Sequence, residues 1–171
     1  MKKGLGLNVG HDGIEISLGT FGKAFGSFGA FVGCSSVMKD YLINFCPGFI
    51  YTTALPPFVV GALDAALDLI PKMEKERKKL FQNINYLTGE LNSLGFDIGD
   101  SASQIIPIII GSEEETLQLS EYLENHEVWA SAIRPPTVEK DASRIRITIT
   151  VNHTQTDIEH LLTILRAWKE K

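Results

Sequence analysis

The sequence predicts an α/β protein built in two dissimilar parts, the second of them a compact α+β domain. Three observations carry that expectation. From Arg144 to Val151 apolar and polar residues alternate strictly, with Ile145, Ile147 and Ile149 on one side and Arg146, Thr148 and Thr150 on the other. That period of two is the mark of a half-buried strand. Strand-like and helix-like patterns alternate after Gly95, whereas the first third is rich in glycine. A change of this kind within one chain points to two structural parts.

Taken in order, residues 1–13 hold four glycines and almost no periodic apolar signal, and read as a loop. Ile14 to Leu18 is expected as a short buried strand, followed by a turn from Gly19 to Lys23, and Phe28 to Val32 as a second strand. Ser35-Ser36 can cap a helix running through Phe45, because a serine oxygen accepts a backbone N–H left unpaired in the first turn. Pro47-Gly48 should end it, and the aromatic and branched residues from Phe49 to Thr53 favour a β conformation. Pro56-Pro57 opens a helical region reaching about Leu94, since a proline at the first helical turn gives up an N–H that has no partner there. Pro71 inside that region removes a hydrogen bond and clashes with the preceding turn, so a bend is expected there. It serves as the boundary between a first part, 1–70, and a second, 71–171.

In the second part Ile105 to Ile110 is a strand, and Ser112 with Glu115 forms a capping box for a helix to about Asn125. Val128 to Ile133 is another strand, Pro135-Pro136 a turn, and the alternating strand follows. Thr154 and Asp157 start a last helix with Ile158, Leu161, Leu162 and Leu165 on one side.

Composition narrows the function classes. Hydrophobic residues are 44% and charged residues 22%, enough to bury a core. A net charge of −5 argues against a nucleic-acid partner, which needs clustered Lys and Arg. Lys72 to Lys79 is interleaved with Glu74 and Glu76 and reads as a solvated helix face. No apolar run approaches the roughly 18 residues of a membrane span, and no secretory leader is apparent, so neither a membrane partner nor export is expected. Cys34 and Cys46 are too few for a disulfide framework or a typical zinc site, and read as buried free thiols of a reducing, cytoplasmic compartment. The four histidines fall on no metal-ligand spacing; His153 suits the start of the last helix, and Trp129 and Trp168 suit packing.

The chemistry lies in Gly19-Thr20-Phe21-Gly22-Lys23-Ala24-Phe25-Gly26. A lysine kept dry in an apolar turn loses its proton more readily and becomes a nucleophile and base. Small neighbours leave room for a planar ring, and Thr20 can offer a hydroxyl to a phosphate. An ordinary surface lysine in a flexible loop fits the same residues, and the residues alone leave both readings open. Two other glycine readings fail. A phosphate-binding P-loop needs Ser or Thr after the lysine, where Ala24 stands, and Gly4-Leu5-Gly6 lacks the third glycine of a dinucleotide fingerprint.

Five ordered segments resolve the choice by resemblance: GTFGKAFGSFGAFVGCS at 19–35, FIYTTALPP at 49–57, SQIIPIIIG at 103–111, AIRPPTV at 132–138 and SRIRITITVNHT at 143–154. Together they resemble the α-oxoamine synthases, fold-type I enzymes dependent on pyridoxal 5'-phosphate (PLP) that condense an amino acid with an acyl thioester. The AIRPPTV segment is most similar to members that use L-alanine and a pimeloyl thioester in biotin synthesis, and less so to members that use glycine. The resemblance implies the end of a large PLP-binding domain in 1–70 and a small α+β domain in 71–171. It implies Lys23 as the catalytic lysine that holds PLP as a Schiff base, and Thr20 as a phosphate ligand. Thr53 would reach the cofactor of the other subunit of a homodimer, and Tyr51 beside it would line the acyl channel. Arg146 would pair with the substrate carboxylate, a task suited to the two parallel donors of a guanidinium, while Arg134 and Thr137 would stand near the substrate entrance. For either arginine a surface ion pair is the alternative. The thioester carrier would be coenzyme A or acyl carrier protein. Two departures stand out. The family's Asp-x-Ala-His string, whose aspartate pairs with the ring nitrogen, does not occur in these 171 residues, so the chain is expected to match about the C-terminal half of a member and not to turn over alone. Glu139-Lys140-Asp141 replaces the usual Pro-x-Gly turn.

Overall fold

The structure is a computed structural model that describes residues 14–170. The chain divides after Met73 into two compact units.

In the first unit, strands β1 (Ile16–Thr20) and β2 (Ala30–Cys34) pair antiparallel, from Ile16 opposite Cys34 to Thr20 opposite Ala30. Both strands lie two residues later than the sequence pattern suggests. The reason is local. The ring of Phe31 lies over Gly19, where a Cβ would stand 2.2 Å from Phe31 Cε1, so the strand runs through this glycine instead of turning at it. Gly29 has φ +100°, outside the strand region, and delays the start of β2 to Ala30. Helix α1 (Ser36–Phe45) begins where expected, with Ser35 Oγ accepting from the Met38 N–H at 3.2 Å.

The β stretch expected from Phe49 to Thr53 is absent. Residues Pro47–Ile50 form a one-turn helix, α2, with Pro47 in its first position and the Phe49 and Ile50 N–H groups both donating to the Cys46 carbonyl. Proline's preset φ starts this turn, and that local effect outweighs the β preference of two residues. Helix α3 (Pro57–Leu69) follows, and Pro71 ends it in a 3-10 turn at Ile70–Lys72. Cys34 and Cys46 are half-buried rather than buried, and both are free.

The second unit holds the core. Helix α4 (Glu74–Ser93), strand β3 (Ile105–Gly111), helix α5 (Glu113–Glu124), strands β4 (Ser131–Ile133) and β5 (Ser143–Thr148), and helix α6 (Gln155–Lys169) occur in that order. The sheet is antiparallel with β5 in the middle, in the order β3-β5-β4. Alternation does what was expected of it: Ile145 and Ile147 of β5, with Ile106 and Ile108 of β3, turn inward against Leu87 and Leu91 of α4, Leu119 and Leu123 of α5, and Ile158, Leu162 and Leu165 of α6. Each such side chain contributes about 1.5–3 kcal/mol on burial. Helix α6 starts with a complete capping box, in which Thr154 and Asp157 each satisfy the other's backbone N–H. At α5 Ser112 Oγ accepts from the Glu115 N–H.

Strand β4 is shorter than Val128 to Ile133. Glu127 sits at φ 64°, and the Val128 N–H returns to the Leu123 carbonyl, so those residues finish α5 instead of joining the sheet. Strand β5 stops at Thr148, and the Thr150 N–H turns to His153 Nδ1. Trp129 was expected to pack but is 92% exposed, whereas Trp168 packs beside the Tyr122 ring against the core. Among the described residues no helix is long and apolar enough to cross a membrane.

Candidate active site

Lys23 stands in the loop 21–29 that joins β1 to β2. The loop is closed at its base by the Phe21 N–H donating to the Gly29 carbonyl at 2.9 Å and the Ser27 N–H donating to the Phe21 carbonyl at 3.0 Å. Within it the Gly26 N–H donates to the Lys23 carbonyl at 2.8 Å, so Lys23 opens a four-residue turn. Phe21 anchors the loop: it is buried, with Phe25 edge-on at 5.0 Å and Phe31 at 5.4 Å. This aromatic base lets the turn above it project. Lys23 Nζ lies 3.5 Å from Thr20 Oγ1, so an amine and a hydroxyl share one end of the hairpin.

The described residues do not form the expected dry pocket around Lys23. Gly22, Lys23 and Ala24 are all exposed, and of the loop's aromatic residues Phe21 and Phe25 meet edge-on while Phe28 is exposed. A hairpin tip that the described residues leave exposed admits water. Space is ample: nothing lies within 4 Å of where a side chain on Gly26 would begin.

Tyr51 and Thr53 are exposed, Tyr51 by 87%, in the segment between α2 and α3. Leu55 of that segment packs on the bare face of Gly29, where a Cβ would stand 3.0 Å from Leu55 Cδ1. The first unit thus brings the YTTALPP segment against the base of the lysine loop. Sequence reasoning had no signal for that contact beyond the glycine itself.

The arginine residues lie in the second unit. Arg146 is on β5, directly opposite Pro107 of β3 and Ser131 of β4, and so on the outer face of the sheet. It is exposed, and among the described residues it has no ion-pair partner. Arg134 and Thr137 bound one turn after β4, closed by the Thr137 N–H donating to the Arg134 carbonyl at 2.9 Å, and both are exposed. The second unit thus exposes two guanidinium groups and a hydroxyl, on β5 and on the turn before it, all able to receive an anion.

The family model described as aminotransferase class I and II matches residues 7–165. The chain belongs to the aminotransferase class I and II family. A Desulfosudis oleivorans protein carrying a provisional 8-amino-7-oxononanoate synthase name is 48% identical over 168 residues, which is 98% of this chain and 43% of that protein. The 8-amino-7-oxononanoate synthase of Gluconacetobacter diazotrophicus is 41% identical over 163 residues, 95% of this chain and 41% of that one. Among solved structures, the 8-amino-7-oxononanoate synthase of Francisella tularensis is similar with a TM-score of 0.81 at 28% identity, over 91% of this chain and 45% of that one. The serine palmitoyltransferase of Sphingomonas wittichii matches with a TM-score of 0.85 at 22% identity over 92% of this chain and 40% of that one, a likeness of fold alone. The chain spans less than half the length of these relatives.

In this member of the aminotransferase class I and II family the described histidines make local hydrogen bonds to backbone. His153 Nδ1 accepts from the Thr150 N–H at 3.1 Å, and the Asn83 side chain donates to the His153 carbonyl, tying α4 to the start of α6. His160 Nε2 lies 3.0 Å from the His126 carbonyl.

Proposed function

We propose that this chain carries the lysine and substrate-carboxylate parts of a PLP-dependent acyltransferase that condenses L-alanine with a pimeloyl thioester to give 8-amino-7-oxononanoate. In this reading 1–70 is the end of the large cofactor-binding domain and 71–171 the small domain. The working enzyme is a cytoplasmic homodimer in which Thr53 serves the other subunit. The observation that carries the proposal is the Lys23–Thr20 pair at 3.5 Å on an open turn. An amine and a hydroxyl one side chain apart suit an aldehyde and a phosphate on one planar molecule, and the free space at Gly26 admits a ring, so these residues fit PLP. The names of the relatives support the same reading.

PLP, when bound, supplies an electron sink for the charge left on the amino acid's α-carbon. The chain's own residues do the rest. Lys23 Nζ would hold the cofactor and move the amino acid's α-proton. Thr20 Oγ1 donates to a phosphate oxygen. Arg146 grips the amino-acid carboxylate with two parallel N–H donors and fixes which bond at the α-carbon is presented. Tyr51 lines the acyl channel, and Arg134 with Thr137 receives the thioester.

The test is borohydride reduction of the chain with PLP, followed by peptide mass analysis. A phosphopyridoxyl group confined to the Lys23 peptide, and lost in Lys23→Ala, is the expected result. Label spread equally over the exposed lysines between Lys72 and Lys79 overturns the assignment. A second reading, an inactive fragment, is favoured by the exposure of Lys23 and the missing Asp-x-Ala-His string. It predicts no phosphopyridoxyl group at Lys23 after the same borohydride treatment.

A further inference from the structure

We infer that Arg144 is a positioning residue: it locks the 134–142 loop, which bears Arg134 and Thr137, onto the central strand, and thereby sets how the thioester is received. The inference rests on the function proposed above for that loop.

Arg144 lies on β5 between Ser143 and Ile145, and opposite both Ile109 of β3 and Ile133 of β4. It therefore stands on the outer face of the sheet, the face that carries Arg146 two residues on. Unlike Arg146 it is half-buried, and its guanidinium is already engaged: Nε donates to the Ala142 carbonyl at 2.9 Å. The bond comes from Nε, the innermost donor, so the side chain is folded back along its own strand toward the loop.

Three further features close the same loop. The Thr137 N–H donates to the Arg134 carbonyl at 2.9 Å, and the Ala142 N–H donates to the Glu139 carbonyl at 3.2 Å. Asp141 holds φ 62°, a left-handed conformation that favours glycine and that aspartate tolerates better than most residues. This is the segment where Glu139-Lys140-Asp141 stands in place of the family's usual Pro-x-Gly turn. Gly111, at the end of β3 with φ +90°, leaves room for the Asp141 carbonyl, which would lie 3.3 Å from a Cβ there. The Glu139-Lys140-Asp141 end of the loop is thus held by an arginine from the strand and by a bare residue on the neighbouring one. The Arg134 and Thr137 side chains themselves remain exposed and free to meet a ligand.

The experiment uses the full chain and two independent variants. Arg144→Gln removes the Nε donor. Gly111→Ala presses on the Asp141 carbonyl without touching an arginine. Arg144→Lys keeps the charge but has no donor at that position, so it should behave like Arg144→Gln. Trypsin cleavage after Lys140 reads loop release directly, and intact thermal melting checks that each variant is folded. Cleavage about tenfold faster in Arg144→Gln and Arg144→Lys is expected, in step with opening of the loop, with Gly111→Ala intermediate. Titration with pimeloyl-coenzyme A should weaken several-fold while the amino-acid affinity set by Arg146 stays put. Unchanged cleavage in folded Arg144→Gln, or full protection by Arg144→Lys, overturns the inference. Faster cleavage with unaltered thioester affinity leaves the lock standing but sinks its role in receiving the thioester. A wild-type chain that binds no thioester overturns the function proposed for the loop, while the cleavage rates still decide the lock.

Discussion

The two units differ in where their apolar residues go. Between Ile84 and Leu165 the second unit buries one continuous cluster of isoleucines and leucines between three helices and the inner face of the sheet. In the first unit only Phe21 and Leu63 are buried among the described hydrophobic residues, while Leu18, Phe28, Val37, Phe45, Tyr51 and Phe58 are exposed. Hydrophobic content runs the other way, since the first unit is the richer in apolar residues, so composition does not account for the difference. Pattern does. In the second unit apolar residues recur at periods that match the elements they sit on, and each face has another element of the same unit to meet. In the first unit a two-stranded hairpin and short helices offer too few partners within their own unit, and large exposed apolar surface of this kind marks an interaction face. The candidate lysine, Lys23, sits on the unit whose described residues leave it exposed.

This contrast can be broken in several ways. The largest expected effect is on excision: residues 74–171 alone should unfold cooperatively in urea with a midpoint near that of the whole chain, and residues 14–73 alone should show no transition. A fragment 74–171 without a cooperative transition would end the comparison. Next, Leu165→Ala should cost about 2–5 kcal/mol, whereas Val37→Ala should shift stability by less than about 0.5 kcal/mol, both read from denaturant midpoints. In the first unit Gly19→Ala is the sharper probe, because Phe31 blocks the new Cβ at 2.2 Å. A cost of about 1–3 kcal/mol to the hairpin is expected, seen as faster amide exchange in β1 and β2 with α4 to α6 unaffected.

The smallest effect is on pH. The backbone N–H of Thr154, and then its hydroxyl, hold the Asp157 carboxyl below the usual carboxylate range. The Tyr86 hydroxyl, and then Gln155, do the same for Glu159. A carboxyl whose value is lowered on folding adds stability above its unfolded value, and that share is lost as pH falls through the lowered one. Asp157→Asn should therefore flatten the acid limb of the stability curve of residues 74–171 below pH of about 4 and leave the neutral region's slope unchanged. An identical acid limb in the variant would show that the cap does not titrate with folding.

Much of the second unit was legible in the residues. Strict alternation through Ile145, Ile147 and Ile149 specified which face of β5 turns inward, and Ser112, Thr154 and Asp157 marked helix starts that the structure uses. These signals are local, and packing agrees with them. Boundaries were less legible where a single backbone angle decides them. Glu127 at φ 64° keeps Val128 out of β4, and Pro47 makes a helical turn of residues with β preference. For the candidate site, the sequence named Lys23 and Thr20 separately, and their 3.5 Å contact came only with the hairpin.

By itself the sequence determined the family, through ordered segments from Gly19 to Thr154, and the inward-facing residues of the sheet and its helices. Periodicity and motif order are written along the chain and need no folding to be read. Only the tertiary structure decided that Leu55 leans on Gly29, that Arg144 holds the Ala142 carbonyl, and that Lys23 ends on an exposed tip. Each depends on what stands opposite a residue in space, and that is set by strand register and by which surfaces a unit is able to cover.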